Sequence, residues 1–277
     1  MTVLDGVIAD LTAEGDQLRA AVAGLDSDGW TTFTPAEGWT VATTVGHLLW
    51  TDEVAVLAAG ALTDEGKKAW DAVVLRAIED PTGFVDKGAL ELGALAPEEL
   101  LARWDAGRVA LPEALRAYPD GFKMPWFGPP MSPTSMATAR FMETWAHALD
   151  VYDALGLTPD VTDRIRHVAH IGVRTRNFSF ANNELPAPAE EFRIELTAPS
   201  GELWAWGPEG AAQTVSGSAF DFCQLVTQRI HRDDTDLVAE GDDAEKWLTI
   251  AQAFAGPAGG GRVSRLAGAR TSTTEES

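Results

Sequence analysis

Met142-Glu143-Thr144-Trp145-Ala146-His147-Ala148-Leu149-Asp150 lies inside a helical run that starts at Ser132-Pro133 and stops at Gly156. Glu143 and His147 are four residues apart, so their side chains leave the same face and reach one point in space. Far upstream, Val45-Gly46-His47-Leu48-Leu49-Trp50 places a second histidine in another helical run. One carboxylate and two imidazoles form a three-donor set that suits a catalytic zinc-like ion with an open position for water or substrate. A plainer reading stands beside it. On a helical wheel Arg140, Glu143, His147 and Asp150 form one polar stripe opposite Phe141, Trp145, Leu149 and Tyr152, as an ordinary surface helix would show. Against that, the polar stripe is interleaved with Met136, Ala139, Ala146 and Ala154 and has no lysine, so a neighbouring helix could come close.

Working outward, apolar recurrence from Thr2 to Leu25 predicts a first long helix, and Asp26 to Trp39 reads as loop. Thr40 caps a second helix, about Val41 to Ala59, that carries His47. Thr63 to Glu79 is helical in composition, and 82 to 96 is loop or short helix. Ala96-Pro97-Glu98-Glu99 starts a further helix, in which Pro112 predicts a kink. Tyr118 to Pro133 is rich in proline and aromatics, a stiff apolar loop that either walls a pocket or covers the end of a bundle. Four long helices joined by loops predict an up-and-down bundle.

After Gly156 the pattern changes. Thr162 to Phe180 reads as a helix, and Phe192 to Thr197 with Glu202 to Trp206 as a hairpin. Then come a short strand at Gln213 to Gly217, a helix from Ser218 to Ile230, a strand at Asp236 to Glu240 and a helix from Ala244 to Ala255. The expected class is therefore α+β: a helical bundle over 1–157, a small α+β domain with an antiparallel sheet over 158–255, and a disordered Gly/Ser/Thr-rich tail over 256–277.

Composition narrows the partners. A formal net charge of −21, from 42 acidic against 21 basic residues, argues against nucleic acid or an anionic membrane, since phosphate binding needs clustered cations. No run approaches the roughly 20 apolar residues of a membrane span, and the amino terminus lacks a signal-peptide pattern. A cytoplasmic protein that works on small molecules, as monomer or homodimer, is expected. The single cysteine, Cys223, excludes an intrachain disulfide and a Cys-rich zinc site, and reads as a buried thiol. His167, His170 and His231 read as structural, the last at a helix end. Phosphate-loop, dinucleotide and serine-elbow motifs are absent from the sequence.

Glu37-Gly38-Trp39-Thr40-Val41-Ala42-Thr43-Thr44-Val45-Gly46-His47-Leu48 resembles the second-helix motif of the DinB-like metal-binding bundles. With Glu143-Thr144-Trp145-Ala146-His147-Ala148-Leu149-Asp150, the chain resembles the actinobacterial mycothiol-dependent maleylpyruvate isomerase family over most of its length, to about Phe254. The resemblance implies that His47, Glu143 and His147 bind a divalent metal, usually zinc, that mycothiol is the thiol cosubstrate, and that the bundle is joined to a sterol-carrier-like α+β domain. It also implies an active-site arginine from that domain, whose nearest match is Arg229 in Leu225-Val226-Thr227-Gln228-Arg229.

A metal ion that lowers the pKa of a bound thiol makes it a nucleophile. Addition to an activated cis double bond, rotation and elimination would isomerise the substrate; stopping after addition would make a thiol S-transferase. Asp150 would hold the outer nitrogen of a ligand histidine, and Arg229 would pair with a substrate carboxylate. Two alternatives stay open: a metal-dependent hydrolase that activates water at the same ligands, and a non-catalytic module that binds a small apolar ligand.

Overall fold

The structure is a computed structural model, which describes residues 2–265. The chain forms two compact units, Met1–Pro159 and Asp160–Ser277.

The first unit contains α1 (Val3–Val22), α2 (Ser27–Thr31), α3 (Val41–Gly60), α4 (Asp64–Glu79), α5 (Phe84–Gly93), α6 (Pro97–Ala117) and α7 (Pro133–Leu155). Four of its long helices, α1, α3, α4 and α7, begin where the sequence offers a side-chain acceptor to the orphan amides of the first turn, while α6 starts at Pro97 without one. Thr2 and Asp5 form a reciprocal capping box on α1. Thr40, Thr63 and Ser132 cap α3, α4 and α7 through the amides of Thr43, Gly66 and Ser135. Gly156 ends α7 in the left-handed region, at φ 65°.

α3 is the central element and packs against α4, α5, α6 and α7, while α1 lies on α7. The stretch 82–96 resolves into α5, and its aperiodic, glycine-containing sequence has a packing reason. A Cβ at Gly46 of α3 would lie 2.5 Å from the Gly93 amide nitrogen and 2.7 Å from the Ala89 carbonyl oxygen. One at Gly93 would lie 2.7 Å from the Thr43 Cα. The two helices cross backbone to backbone, one residue before His47. α6 stays helical through Pro112 to Ala117. The proline-rich loop is pinned by reciprocal backbone bonds between Met124 and Met131. Its Trp126 and Phe127 lie against Trp70, and Phe127 also against Phe84. The loop thus covers an apolar cluster of Val54, Ala58, Trp70 and Val73.

The second unit contains a 3-10 turn at Asp163–Ile165, α8 (Arg166–Arg174), α9 (Arg176–Asn182), β1 (Phe192–Thr197), β2 (Leu203–Trp206), β3 (Gln213–Ser218), α10 (Ala219–Val226), β4 (Val238–Glu240) and α11 (Asp242–Ile250). The single helix expected over Thr162 to Phe180 is divided at Thr175, whose hydroxyl donates back to the carbonyls of Ile171 and Gly172. The sheet order is β2-β1-β3-β4. The β1–β2 and β3–β4 pairs are antiparallel, but β1 and β3 are parallel, so the sheet is mixed rather than wholly antiparallel. The cause is topological. After the β1–β2 hairpin the chain passes to the far edge of β1 instead of pairing with β2, and a third strand laid there runs with β1. Phe192, Ile194, Leu196, Trp204 and Val215 are buried with Phe222 and Trp247 in the core of this unit.

The helix expected to reach Ile230 stops at Val226. The Thr227 hydroxyl bonds back to the Cys223 carbonyl (2.8 Å), and Gln228 turns left-handed at φ 59°. The Gln228 and Arg229 amides then donate to the carbonyls of Leu225 and Gln224, closing a Schellman-type cap. The tail expected over 256–277 falls partly, at 266–277, outside the described residues. Within 256–265, the Ser264 hydroxyl and the Arg265 amide both bond to the Asp234 carboxylate, at 3.0 and 2.8 Å.

Candidate metal centre

The Thr40 cap sets the start of α3, and nearly two turns later His47 points into the unit with only 6% of its surface exposed. Glu143 and His147 occupy successive turns of α7 and are partly buried. The three residues converge. His47 Nε2 lies 3.3 Å from Glu143 Oε2, and His147 Nε2 lies 3.4 Å from the same oxygen. One donor atom from each fits within a 4.8 Å cluster.

The polar stripe of α7 is not a solvated face. Arg140 is 3% exposed and Asp150 1%, so the stripe faces inward while Phe141, Trp145 and Tyr152 are buried too. Asp150 Oδ2 lies 3.3 Å from His147 Nδ1, the ring nitrogen turned away from Glu143. Arg140 donates to Asp52 (3.3 Å) and to the Thr51 hydroxyl (2.6 Å) on α3. Thr51 in turn donates to the His47 carbonyl (2.9 Å). A buried network therefore ties the turn of α3 that carries His47 to the turn of α7 that carries Arg140. Two indoles flank the rings. Trp39 stacks on His147 (centroids 5.6 Å apart, 16° between planes) and tilts against His47 (5.1 Å), while Trp50 lies 6.5 Å from His47.

Electrostatics suit the donors to a cation. Burial pushes the His47 pKa down to about 4 despite the hydrogen bond to Glu143, so the ring is neutral at pH 7. Burial alone would raise the Glu143 carboxyl. The His147 and His47 hydrogen bonds and the Arg140 charge outweigh it and hold the group well below the usual carboxylate range. Asp52 goes the other way: burial raises it to about 6 against the pull of Arg140.

Two of the three donor separations fit a tetrahedral ion, and the third lies within 4.8 Å. Tetrahedral zinc with bonds of about 2.0–2.1 Å places neighbouring donors about 3.3–3.4 Å apart. The two nitrogen–oxygen separations here are 3.3 and 3.4 Å. An N,N,O set is a common ligand type for catalytic zinc, and a carboxylate behind one imidazole is its common outer support.

Residues 11–152, just over half of the chain, match the family model described as the mycothiol maleylpyruvate isomerase N-terminal domain. The chain belongs to that family. Residues 188–240 match a second model, described as wyosine base formation. Two proteins of Mycobacterium tuberculosis, from different strains and both described as uncharacterized, are 56% identical over 255 residues, covering 92% of this chain and 97% of theirs. Among solved structures, the mycothiol-dependent maleylpyruvate isomerase and a histidine-to-alanine mutant of it align with TM-scores of 0.56 and 0.57. Identity is 14% and 13%, with 86% of this chain and 95% of theirs covered. At that identity the likeness is one of fold, an α+β arrangement with a helical first part.

Of the residues singled out from the sequence, His47, Glu143, His147 and Asp150 come together. Arg229 belongs to the second unit, just past the end of α10, where its Nη1 donates to the Thr227 carbonyl (2.6 Å). His231 Nδ1 accepts the Asp233 amide and caps the 3-10 turn Arg232–Asp234. Cys223 is buried and free. The sequence assigns no role to Trp39, Trp50, Thr51 and Asp52, and places Arg140 only in the polar stripe of α7. The available signal was Thr51-Asp52-Glu53, a polar run between the apolar Leu48-Leu49-Trp50 and Val54-Ala55 of the His47 helix. No helix among the described residues is long and apolar enough to cross a membrane.

Proposed function

We propose that the chain is a thiol-dependent isomerase or S-transferase acting on an electrophilic small molecule, with a divalent metal, zinc by preference, held by His47, Glu143 and His147. The observation that carries the reading is the convergence of those three donors from α3 and α7 at zinc-like spacing. Three protein donors leave room for an exogenous ligand. A divalent ion there supplies Lewis acidity, which lets a thiol lose its proton near neutral pH.

The protein groups do the rest. At pH 7 the neutral His47 ring brings no positive charge against an incoming cation, and the ionised Glu143, which accepts from the two rings, brings a negative one. Asp150 accepts the Nδ1 proton of His147, which fixes the tautomer with Nε2 as the donor atom. A thiolate held beside a substrate with an activated cis double bond adds to it. The electron pair moves onto the conjugated carbonyl, the new single bond rotates, and elimination returns the thiolate with the trans isomer. A substrate that keeps the thiol gives the transferase outcome. By family resemblance mycothiol is the thiol, and Arg229 is the residue proposed to pair with a substrate carboxylate.

The test is elemental analysis of the purified protein beside His47→Ala and Glu143→Ala, followed by turnover of cis-enone or cis-enoate acids with and without mycothiol. About one ion per chain, lost in both variants, with turnover only when thiol is present, is the expected result. Water-cleaved products formed without thiol would favour the metal-dependent hydrolase, and isomerisation without thiol would remove the thiol from the reaction. Full metal content in both variants would remove the centre.

A further inference from the structure

The two imidazoles are supported unequally. His147 has a carboxylate behind it, the Asp150 oxygen 3.3 Å from Nδ1. The corresponding His47 Nδ1 is buried and has no hydrogen-bond partner among the described residues. A ligand histidine ordinarily donates its outer N–H to an acceptor that fixes the ring's orientation. His47 lacks that device, and its ring is surrounded by others: Trp39 at 5.1 Å, His147 at 4.6 Å and Trp50 at 6.5 Å. Trp39 is the indole that touches both imidazoles, in a nearly parallel stack on His147 and a tilted contact on His47.

Trp39 is itself rigidly placed. It is the residue just before the α3 cap, in a turn closed by paired backbone bonds. The Thr34 amide donates to the Trp39 carbonyl (2.9 Å), the Trp39 amide to the Ala36 carbonyl (3.0 Å), and the Val41 amide to the Thr32 carbonyl (3.0 Å). Gly38, at φ 76°, makes the bend, and a bridge joins Phe33 to Thr40. An indole on a fixed backbone has few torsions left, and offset stacking favours one mutual orientation of the rings. The plate is thus set by the turn, not by the metal.

We infer that Trp39 is a positioning residue of the metal centre, whose indole fixes the planes of both ligand imidazoles and serves for His47 in place of an outer hydrogen bond. The inference rests on the metal centre proposed above. Its consequence is that zinc affinity depends on an aromatic side chain that donates no atom to the ion.

The experiment compares wild type, Trp39→Leu and Trp39→Phe by zinc competition against a chromophoric chelator and by the visible spectrum of the cobalt-loaded protein. Trp39→Leu should bind zinc about 10- to 100-fold more weakly, the range for loss of an outer orienting group, and should shift the cobalt bands. Trp39→Phe, which keeps a ring face, should recover a substantial part of both. Far-ultraviolet circular dichroism checks that each variant is folded. A folded Trp39→Leu protein that binds within twofold of wild type with unchanged cobalt bands overturns the inference alone. Wild type that takes up no zinc overturns the metal centre and this inference together. Should the leucine variant not fold, the metal-free wild type decides by nuclear magnetic resonance. Cross-relaxation between indole protons and the His147 ring supports the stack, and its absence overturns it.

Discussion

Gly46→Ala tests the backbone crossing on which the position of His47 depends. In an exposed helix the change gains roughly 0.5–1 kcal/mol, because alanine loses less backbone entropy than glycine on folding. Gly46 is not exposed. The new methyl would sit 2.5 Å from the Gly93 nitrogen and 2.7 Å from the Ala89 oxygen, both backbone atoms that no rotamer change can move. Reaching an ordinary 3.4 Å contact requires α5 to retreat by about 0.9 Å. Overpacking of this kind costs about 1–3 kcal/mol, so after the helix gain of roughly 0.5–1 kcal/mol the net loss should lie between about 0 and 2.5 kcal/mol, centred near 1. Gly6 on α1 is the control, since a Cβ there meets nothing within 4 Å. Gly6→Ala should stabilise by roughly 0.5–1 kcal/mol. Urea titrations followed by tryptophan fluorescence should therefore move the two midpoints in opposite directions. A Gly46→Ala protein stabilised as much as Gly6→Ala would refute the crossing geometry.

Other outcomes follow from the buried polar groups. Asp52 titrates near 6 in the folded state against 3.8 for an ordinary aspartate. The folded protein thus keeps this proton to higher pH, and the stability it contributes is complete below about pH 4 and lost as pH rises through 6. At 1.36 kcal/mol per unit the swing is about 3 kcal/mol. In urea titrations between pH 4 and 7, Asp52→Asn should remove that part of the slope, and an unchanged profile would contradict the assignment. Asp150→Asn should weaken zinc binding about 10- to 100-fold in a chelator competition; equal affinity would show that the 3.3 Å contact to His147 orients nothing. Burial raises the Cys223 thiol well above its ordinary value, so a thiol reagent at pH 8 should label it only after denaturation. Rapid labelling of the native protein would count against its burial. Thr40→Ala should cost about 1 kcal/mol through the lost cap on α3, read from the urea midpoint.

The parts of this molecule that are legible from the chain are those governed by local rules. The capped starts of α1, α3 and α7, the Gly156 stop and the break between helical and alternating patterns are written within a few residues each. The i, i+4 spacing of Glu143 and His147 is legible too, but not the direction in which it points. A helical wheel shows a stripe, and only packing shows that Arg140 and Asp150 are interior, because charged residues can be buried once paired across helices. α5 was obscure because glycines that serve a close crossing lower apparent helix propensity. The parallel β1–β3 pair depends on which edge of the sheet the chain chose, a decision that alternation cannot record. Trp39 escaped notice because its contacts are with residues 8 and 108 positions away, and no periodicity links them.

The donors also differ in when folding can deliver them. Glu143 and His147 are brought together by a single turn of α7, a local event. His47 is 96 positions upstream of Glu143 and arrives only after the intervening chain has folded back on itself. A nascent α7 can offer an ion two donors at most, and the assembled first unit offers three. In the proposed centre, affinity for the ion would therefore rise with the progress of folding, and added zinc would favour the assembled unit by mass action over every partly folded form that lacks His47. Full grip on the proposed ion would then mark completion of the α3–α7 contact.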